Sequence, residues 1–219
     1  GCIRRRAEQG RQRREHLLRL SQAHLPKAAH DPLLRVGQPF HEPRERQRFA
    51  GANDGMLHAL RGTDGQELFA VIPRAVVPRL PLLSRPSYSH QFLVDGAVAI
   101  SERTASTGNR SLLYALLGRG GKGLFSLDVT DPARFGTEGF LWEYTPAASN
   151  TAAADADLGL MLGEPVPVRL ADGRLGVVAG NGYNSTSGDA VLYVFIVDKS
   201  GALVEVRKLA TGSGGDNGL

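Results

Sequence analysis

An all-β fold is the class this 219-residue sequence predicts, at least from residue 49 onward. Three observations predict it. Short apolar runs rich in Val, Leu, Phe and Tyr alternate with Gly, Asn, Asp and Ser clusters, and none sustains a helical period. Asp-Gly occurs four times, at 54–55, 64–65, 95–96 and 172–173, and favours tight hairpins because glycine tolerates positive φ. A motif recurs three times.

The elements follow in order. The first repeat runs from Ala50 to Phe69, with Leu57 and Ala59 on one side of a strand that starts after Gly55. The second starts at Leu117 and passes through Leu124–Val129 to an aromatic anchor at Leu141–Tyr144. The third spans Ala179 to Gly201 and closes on Leu203–Leu209. Leu170–Val178 reads as strand, Asp-Gly turn, strand. Gly55, Lys122 and Leu192 set the phase, each six residues before Arg61, Asp128 and Asp198. Short strands with a Gly-rich inner turn and a terminal aromatic predict propeller blades of a quinoprotein-like type, with Phe69, Trp142 and Leu209 closing successive units. The spacing from Gly51 to Gly118 is 67 residues and from Gly118 to Gly180 is 62, longer than a bare blade, so residues 84–110 and 146–158 are expected to be inserted loops. About three blades fit, fewer than the four to eight that close a propeller, so a partial propeller is expected.

Charge divides the chain near Arg48. Residues 1–48 hold 11 Arg and 1 Lys against 5 acids, a net +7, and 3 of the 27 glycines. The rest carries −3, for a total of +4. Residues 1–48 are therefore expected to be a basic tail, disordered or not native to the domain behind it, as translation in a shifted frame would produce. The charged run Glu42–Arg48, with its proline, is a poor central strand. Phe40 is the only aromatic among the arginines, so a nucleic-acid arm is disfavoured and no nucleic-acid partner is expected. The single cysteine, Cys2, excludes an intrachain disulfide and a multi-cysteine zinc site. No apolar run reaches the ~18 residues of a transmembrane helix, and no signal peptide is readable.

No catalytic constellation stands out. His58, between Leu57 and Ala59, is expected to face away from the core in a structural role. Asp155 and Asp157 are the candidate metal ligands, but two alternating carboxylates fall short of the six to eight oxygens calcium takes. The loop Gly118-Arg-Gly-Gly-Lys-Gly123 has the look of a phosphate nest without the Ser/Thr ending or the following helix, so a tight inter-strand turn is expected. Asn184-Ser-Thr186 fits a sequon and reads as turn chemistry.

Six segments occur in one order: Gly51–Ala59, Tyr88–His90 with Val94–Gly96, Leu124–Pro132, Leu141–Tyr144, Gly180–Thr186 and Thr211–Leu219. Together they resemble the C-terminal β-propeller of the PilY/PilC proteins of type IV pili. The resemblance covers about residues 49–219. It implies a non-enzymatic binding and assembly module of a pilus-associated adhesin, supporting pilus biogenesis, adhesion and twitching motility. Its implied partners are pilus components and a surface receptor, and its implied place is the cell surface, after export through the periplasm. The same resemblance implies calcium for the family through an Asp-rich loop expected beyond Leu219, with no cofactor in these residues. A fragment of a quinone-dependent dehydrogenase propeller is the alternative that the blades alone allow.

Overall fold

The computed structural model describes residues 47–146 and 155–214. They form eleven strands in three sheets, joined by short 3-10 turns. The first sheet contains β1 (Gln47–Gly51), β2 (Leu57–Arg61) and β3 (Glu67–Val71). The second contains β4 (Val98–Ile100), β5 (Leu112–Leu116), β6 (Leu124–Asp128) and β7 (Phe140–Tyr144). The third contains β8 (Val166–Arg169), β9 (Leu175–Gly180), β10 (Asp189–Val197) and β11 (Leu203–Gly214). Every pairing is antiparallel between sequence neighbours, so each sheet is an up-and-down meander, the pattern of a propeller blade. The architecture is a partial β-propeller, as the repeat predicted. Among the described residues no helix is long and apolar enough to cross a membrane.

The hairpin turns follow their local chemistry. Between β8 and β9 the Leu170 amide donates to the Arg174 carbonyl at 2.9 Å, and Gly173 takes φ +84°. Asp172 Oδ1 accepts the Arg174 amide at 3.0 Å, an Asx turn. The same device closes the third strand of the second and third sheets. Asp128 Oδ1 accepts the Thr130 amide at 2.9 Å, and Asp198 Oδ1 accepts those of Ser200 and Ala202 at 2.8 and 3.0 Å. In the first sheet Arg61 stands at that position. Asp64 takes over three residues later, accepting from the Gln66 amide at 3.0 Å and from Arg61 at 3.1 Å.

The core lies between the sheets. Leu112, Tyr114 and Leu116 of β5 face the third sheet and pack with Val177, Tyr193 and Phe195. Leu113 and Ala115 face the first sheet and pack with Leu57, Val76 and Leu93. The second sheet is thus buried on both faces, which is why β5 is an unbroken apolar run rather than an alternating one.

Three expectations are revised. Residues 84–110 are not all insertion, because β4 lies within them as the first strand of the second sheet. A lead-in strand does precede the Gly51 turn. β1 starts at Gln47, where Phe49 packs inward and Arg48 is exposed, so alternation accommodates the charge. Asp95-Gly96 makes no hairpin. Gly96 lies against the Leu116 backbone, where a Cβ would collide with the carbonyl oxygen. Phe69, Trp142 and Leu209 do lie on the last strands β3, β7 and β11. The tail assigned to residues 1–48 lies outside the described residues as far as residue 46, as do 147–154 of the second expected insertion.

Candidate functional site

Strand β7 carries the sequence Phe-Leu-Trp-Glu-Tyr, and successive side chains leave opposite faces. Trp142 and Tyr144 point toward the third sheet, and Glu143 points toward the first. Each makes one kind of cross-sheet bond. Trp142 Nε1 donates to the Gly201 carbonyl at 2.9 Å. The Glu143 carboxylate accepts the consecutive amides of Arg74 and Ala75 at 2.8 and 3.0 Å, and the Thr145 hydroxyl at 2.6 Å. The Tyr144 hydroxyl donates to Asp155 Oδ2 at 2.8 Å.

Asp155 is the centre of this cluster. Its side chain is 2% exposed. Tyr193 of β10 also donates to Oδ2, at 2.8 Å, so one oxygen joins a phenol of the second sheet to a phenol of the third. Oδ1 accepts Lys208 Nζ at 2.7 Å and the Asp157 amide at 3.1 Å. Lys208 is opposite Tyr193 in the β10–β11 register and reaches back over that ring to a second carboxylate, Asp157 Oδ2, at 2.8 Å. The loop is held from the other side by Asn181, fully buried, whose amide donates to the carbonyls of Asp157 and Asp189 at 2.9 and 2.7 Å.

The charges follow. Burial pushes the Asp155 carboxyl upward, but hydrogen bonds from Lys208, Tyr144 and Tyr193 outweigh it and hold the group below the usual carboxylate range. Asp157 is lowered mainly by its bond from Lys208, aided by Ser187. Burial opposes the Lys208 charge, and the two aspartates restore it, leaving the ammonium above its ordinary range. Both phenols are raised, first by burial and then by the carboxylate they donate to. The cluster is a fixed ion pair with donors on every side.

Asp155 and Asp157 are therefore brought together as the Asp-x-Asp spacing anticipates, and the Lys208 ammonium lies between them. Among the described residues no group of three or more His, Cys, Asp or Glu is arranged to hold a metal. The sequence left Tyr144, Tyr193, Glu143 and Lys208 out of any site. The signal for the first two was present: a tyrosine within a buried apolar strand needs a partner for its hydroxyl. Lys208 carries no such signal, since 53 residues separate it from Asp155.

A second cation sits between carboxylates on the first sheet. His58 faces away from the core while Leu57 and Ala59 are fully buried, as alternation anticipates. Its Nδ1 lies 2.6 Å from Glu67 Oε2 and its Nε2 lies 2.9 Å from Asp54 Oδ2. The bond to Glu67 is the main cause that raises its pKa, burial opposes it, and Asp54 adds to the rise. The Gly118–Gly123 loop is a turn between β5 and β6, with Gly118 and Gly120 packed against residues 93–96 and Gly123 against Tyr144.

Three comparisons bear on this chain. The model of the PilY1 beta-propeller domain matches residues 23–219, reaching into the basic segment. A type IV pilus biogenesis factor PilY1 homolog of Xylella fastidiosa is 40% identical over 173 residues, 78% of this chain and 13% of the relative. The type IV pilus biogenesis factor PilY1 of Pseudomonas aeruginosa is 38% identical over 174 residues, 78% of this chain and 14% of the relative. The crystal structure of the Pseudomonas aeruginosa PilY1 C-terminal domain superposes with a TM-score of 0.55 at 36% identity, covering 78% of this chain and 32% of that one. The chain thus spans about one-seventh of the length of these relatives.

Proposed function

The chain belongs to the PilY1 β-propeller family, and from that premise we propose that it is a binding and assembly module of a type IV pilus biogenesis factor. The module works at the cell surface with pilus components, and it contributes to pilus assembly, to adhesion through a surface receptor, and to twitching motility. It acts by holding surfaces in place rather than by catalysing a reaction. The calcium implied for the family is assigned to an Asp-rich loop and not to Asp155 and Asp157, whose oxygens are taken by Lys208.

The observation that carries this reading is the family match across residues 23–219, together with 38–40% identity to two named pilus biogenesis factors. The chemistry of the cluster agrees with it. Asp155, Asp157 and Glu143 each spend their lone pairs on groups of the protein itself, as joints between sheets require.

The test is an in-frame removal of residues 47–214 from the gene that encodes them. Surface pili, twitching-zone diameter and attachment are then measured beside immunodetection of the shortened protein. Loss of pili with the shortened protein still present is the expected result. Wild-type piliation and attachment would overturn the proposal.

A further inference from the structure

The glycine-rich turn after β5 aims one side chain with unusual rigidity. Gly118 (φ +59°) and Gly120 are buried against the backbone of residues 93–96, and a Cβ on Gly120 would collide with the Leu93 carbonyl oxygen. Arg119, between them, is exposed. The turn has no room to relax, so the arginine leaves from a fixed point.

Its guanidinium lies 5.1 Å from the centre of the Phe92 ring. The His90 imidazole meets that ring edge-on, centroids 4.7 Å apart. Tyr88 is 47% exposed, and its hydroxyl accepts the Gln91 amide at 3.2 Å. The strip is braced from beneath. Leu93 and Val94 are buried, the Leu93 amide donates to Asn53 Oδ1 at 3.3 Å, and Arg79 donates to Gln91 Oε1 at 3.1 Å and to the Gly120 carbonyl. Asn53 Nδ2 also lies 3.2 Å from His90 Nε2. Asp54, the acid next to Asn53, is engaged with His58 and the Met56 amide. Among the described residues Arg119 lies over the Phe92 ring and pairs with no carboxylate.

We propose that Tyr88, His90, Phe92 and Arg119 form a binding platform for a carboxylated polysaccharide, a polyuronate, which rests on the surface-binding reading above. The outer edge of a guanidinium takes a carboxylate through two parallel hydrogen bonds. Tyr88 and His90 are exposed and offer apolar ring surface to the C–H face of a pyranose, while Phe92, half-buried, carries Arg119 over its ring. Single-stranded nucleic acid also combines stacking with cations, but it is held by a charged groove that follows the phosphates. Here one arginine, Arg119, lies over one ring, Phe92, and the segment Tyr88–Phe92 holds no lysine or arginine to follow a line of phosphates.

The test is isothermal titration of the whole 219-residue chain with oligogalacturonate, with a neutral oligoglucan of equal length and with oligothymidylate. Oligogalacturonate binding, no detectable heat with the neutral sugar, and at least about tenfold weaker binding by Arg119→Gln are expected. Tyr88→Ala weakens it by about fivefold, the scale of one stacked ring. No oligogalacturonate binding, equal binding by Arg119→Gln, or tighter binding of oligothymidylate would overturn the proposal. A strain carrying Arg119→Gln separates this from the assembly reading. Normal pili with reduced attachment to a polyuronate-coated surface support the platform. Normal pili with undiminished attachment reject it and leave the assembly module standing. Loss of pili also rejects it, because a change confined to a sugar contact leaves assembly intact.

Discussion

Asp54–His58–Glu67 and Asp155–Lys208–Asp157 are the same arrangement, a cation between two carboxylates, in two settings. On the first sheet the carboxylates are 44% and 52% exposed, and the cation is a histidine whose pKa is raised first by its bond to Glu67. Between the second and third sheets the Asp155 side chain is 2% exposed and the cation is a lysine whose side chain is 40% exposed. Water can replace any partner in the first cluster. In the second, removing the Asp155 carboxylate strands the two phenol hydroxyls that donate to it inside the seam between the sheets. Burial, not charge pattern, decides which cluster holds the molecule together.

The comparison breaks most readily with one substitution made twice. Asp155→Ala leaves the Tyr144 and Tyr193 phenols without their acceptor and Lys208 with Asp157 alone, and is expected to cost about 3 kcal/mol in urea denaturation. Asp54→Ala is expected to cost under about 1 kcal/mol. Equal losses would refute the role given to burial.

Acid sharpens it next. Asp155 and Asp157 titrate below their unfolded values of about 3.9, so their contribution is present above that pH and is lost as pH falls through the lower folded values. Stability measured from pH 6 to pH 2 therefore falls steeply, and Asp155→Asn flattens that limb.

His58 has the opposite sign and a smaller effect. Its raised pKa gives stability that is fully present below about 6.5 and is lost as pH rises through the folded value. His58→Gln removes a dependence of less than about 1 kcal/mol between pH 6 and pH 9. An NMR titration of the His58 ring that gives a midpoint below 6.5 would contradict the geometry.

Calcium gives the smallest expected signal. With Lys208 between them, Asp155 and Asp157 offer too few free oxygens, and calorimetry of the chain is expected to show binding no tighter than about millimolar. Micromolar binding abolished by Asp155→Ala would place a site there.

Three of the four Asp-Gly turns were legible in the sequence because the pair is a local signal, and the apolar run of β5 was legible as a strand, though its burial on both faces was not. Leu57 and Ala59 on one face with His58 on the other were legible for the same reason. β4 was not: three residues, Val-Ala-Ile, hold too little pattern to separate a strand from a loop. β1 was hidden because the charge of Arg48 obscured the inward Phe49 beside it. Asp155 and Asp157 were legible as a pair, but what they hold was not. Lys208 comes from a strand that only tertiary packing brings across, and no spacing rule links them.

Strand β7 has one more consequence. Its three consecutive side chains, Trp142, Glu143 and Tyr144, reach partners in alternate directions. A slip of one residue would turn the Glu143 carboxylate into the aromatic seam and the indole toward two bare amides. All three bonds would fail together, so the strand works like the notched edge of a key. A chain that threads wrongly by a single position is rejected at this joint, long before any partner molecule examines it.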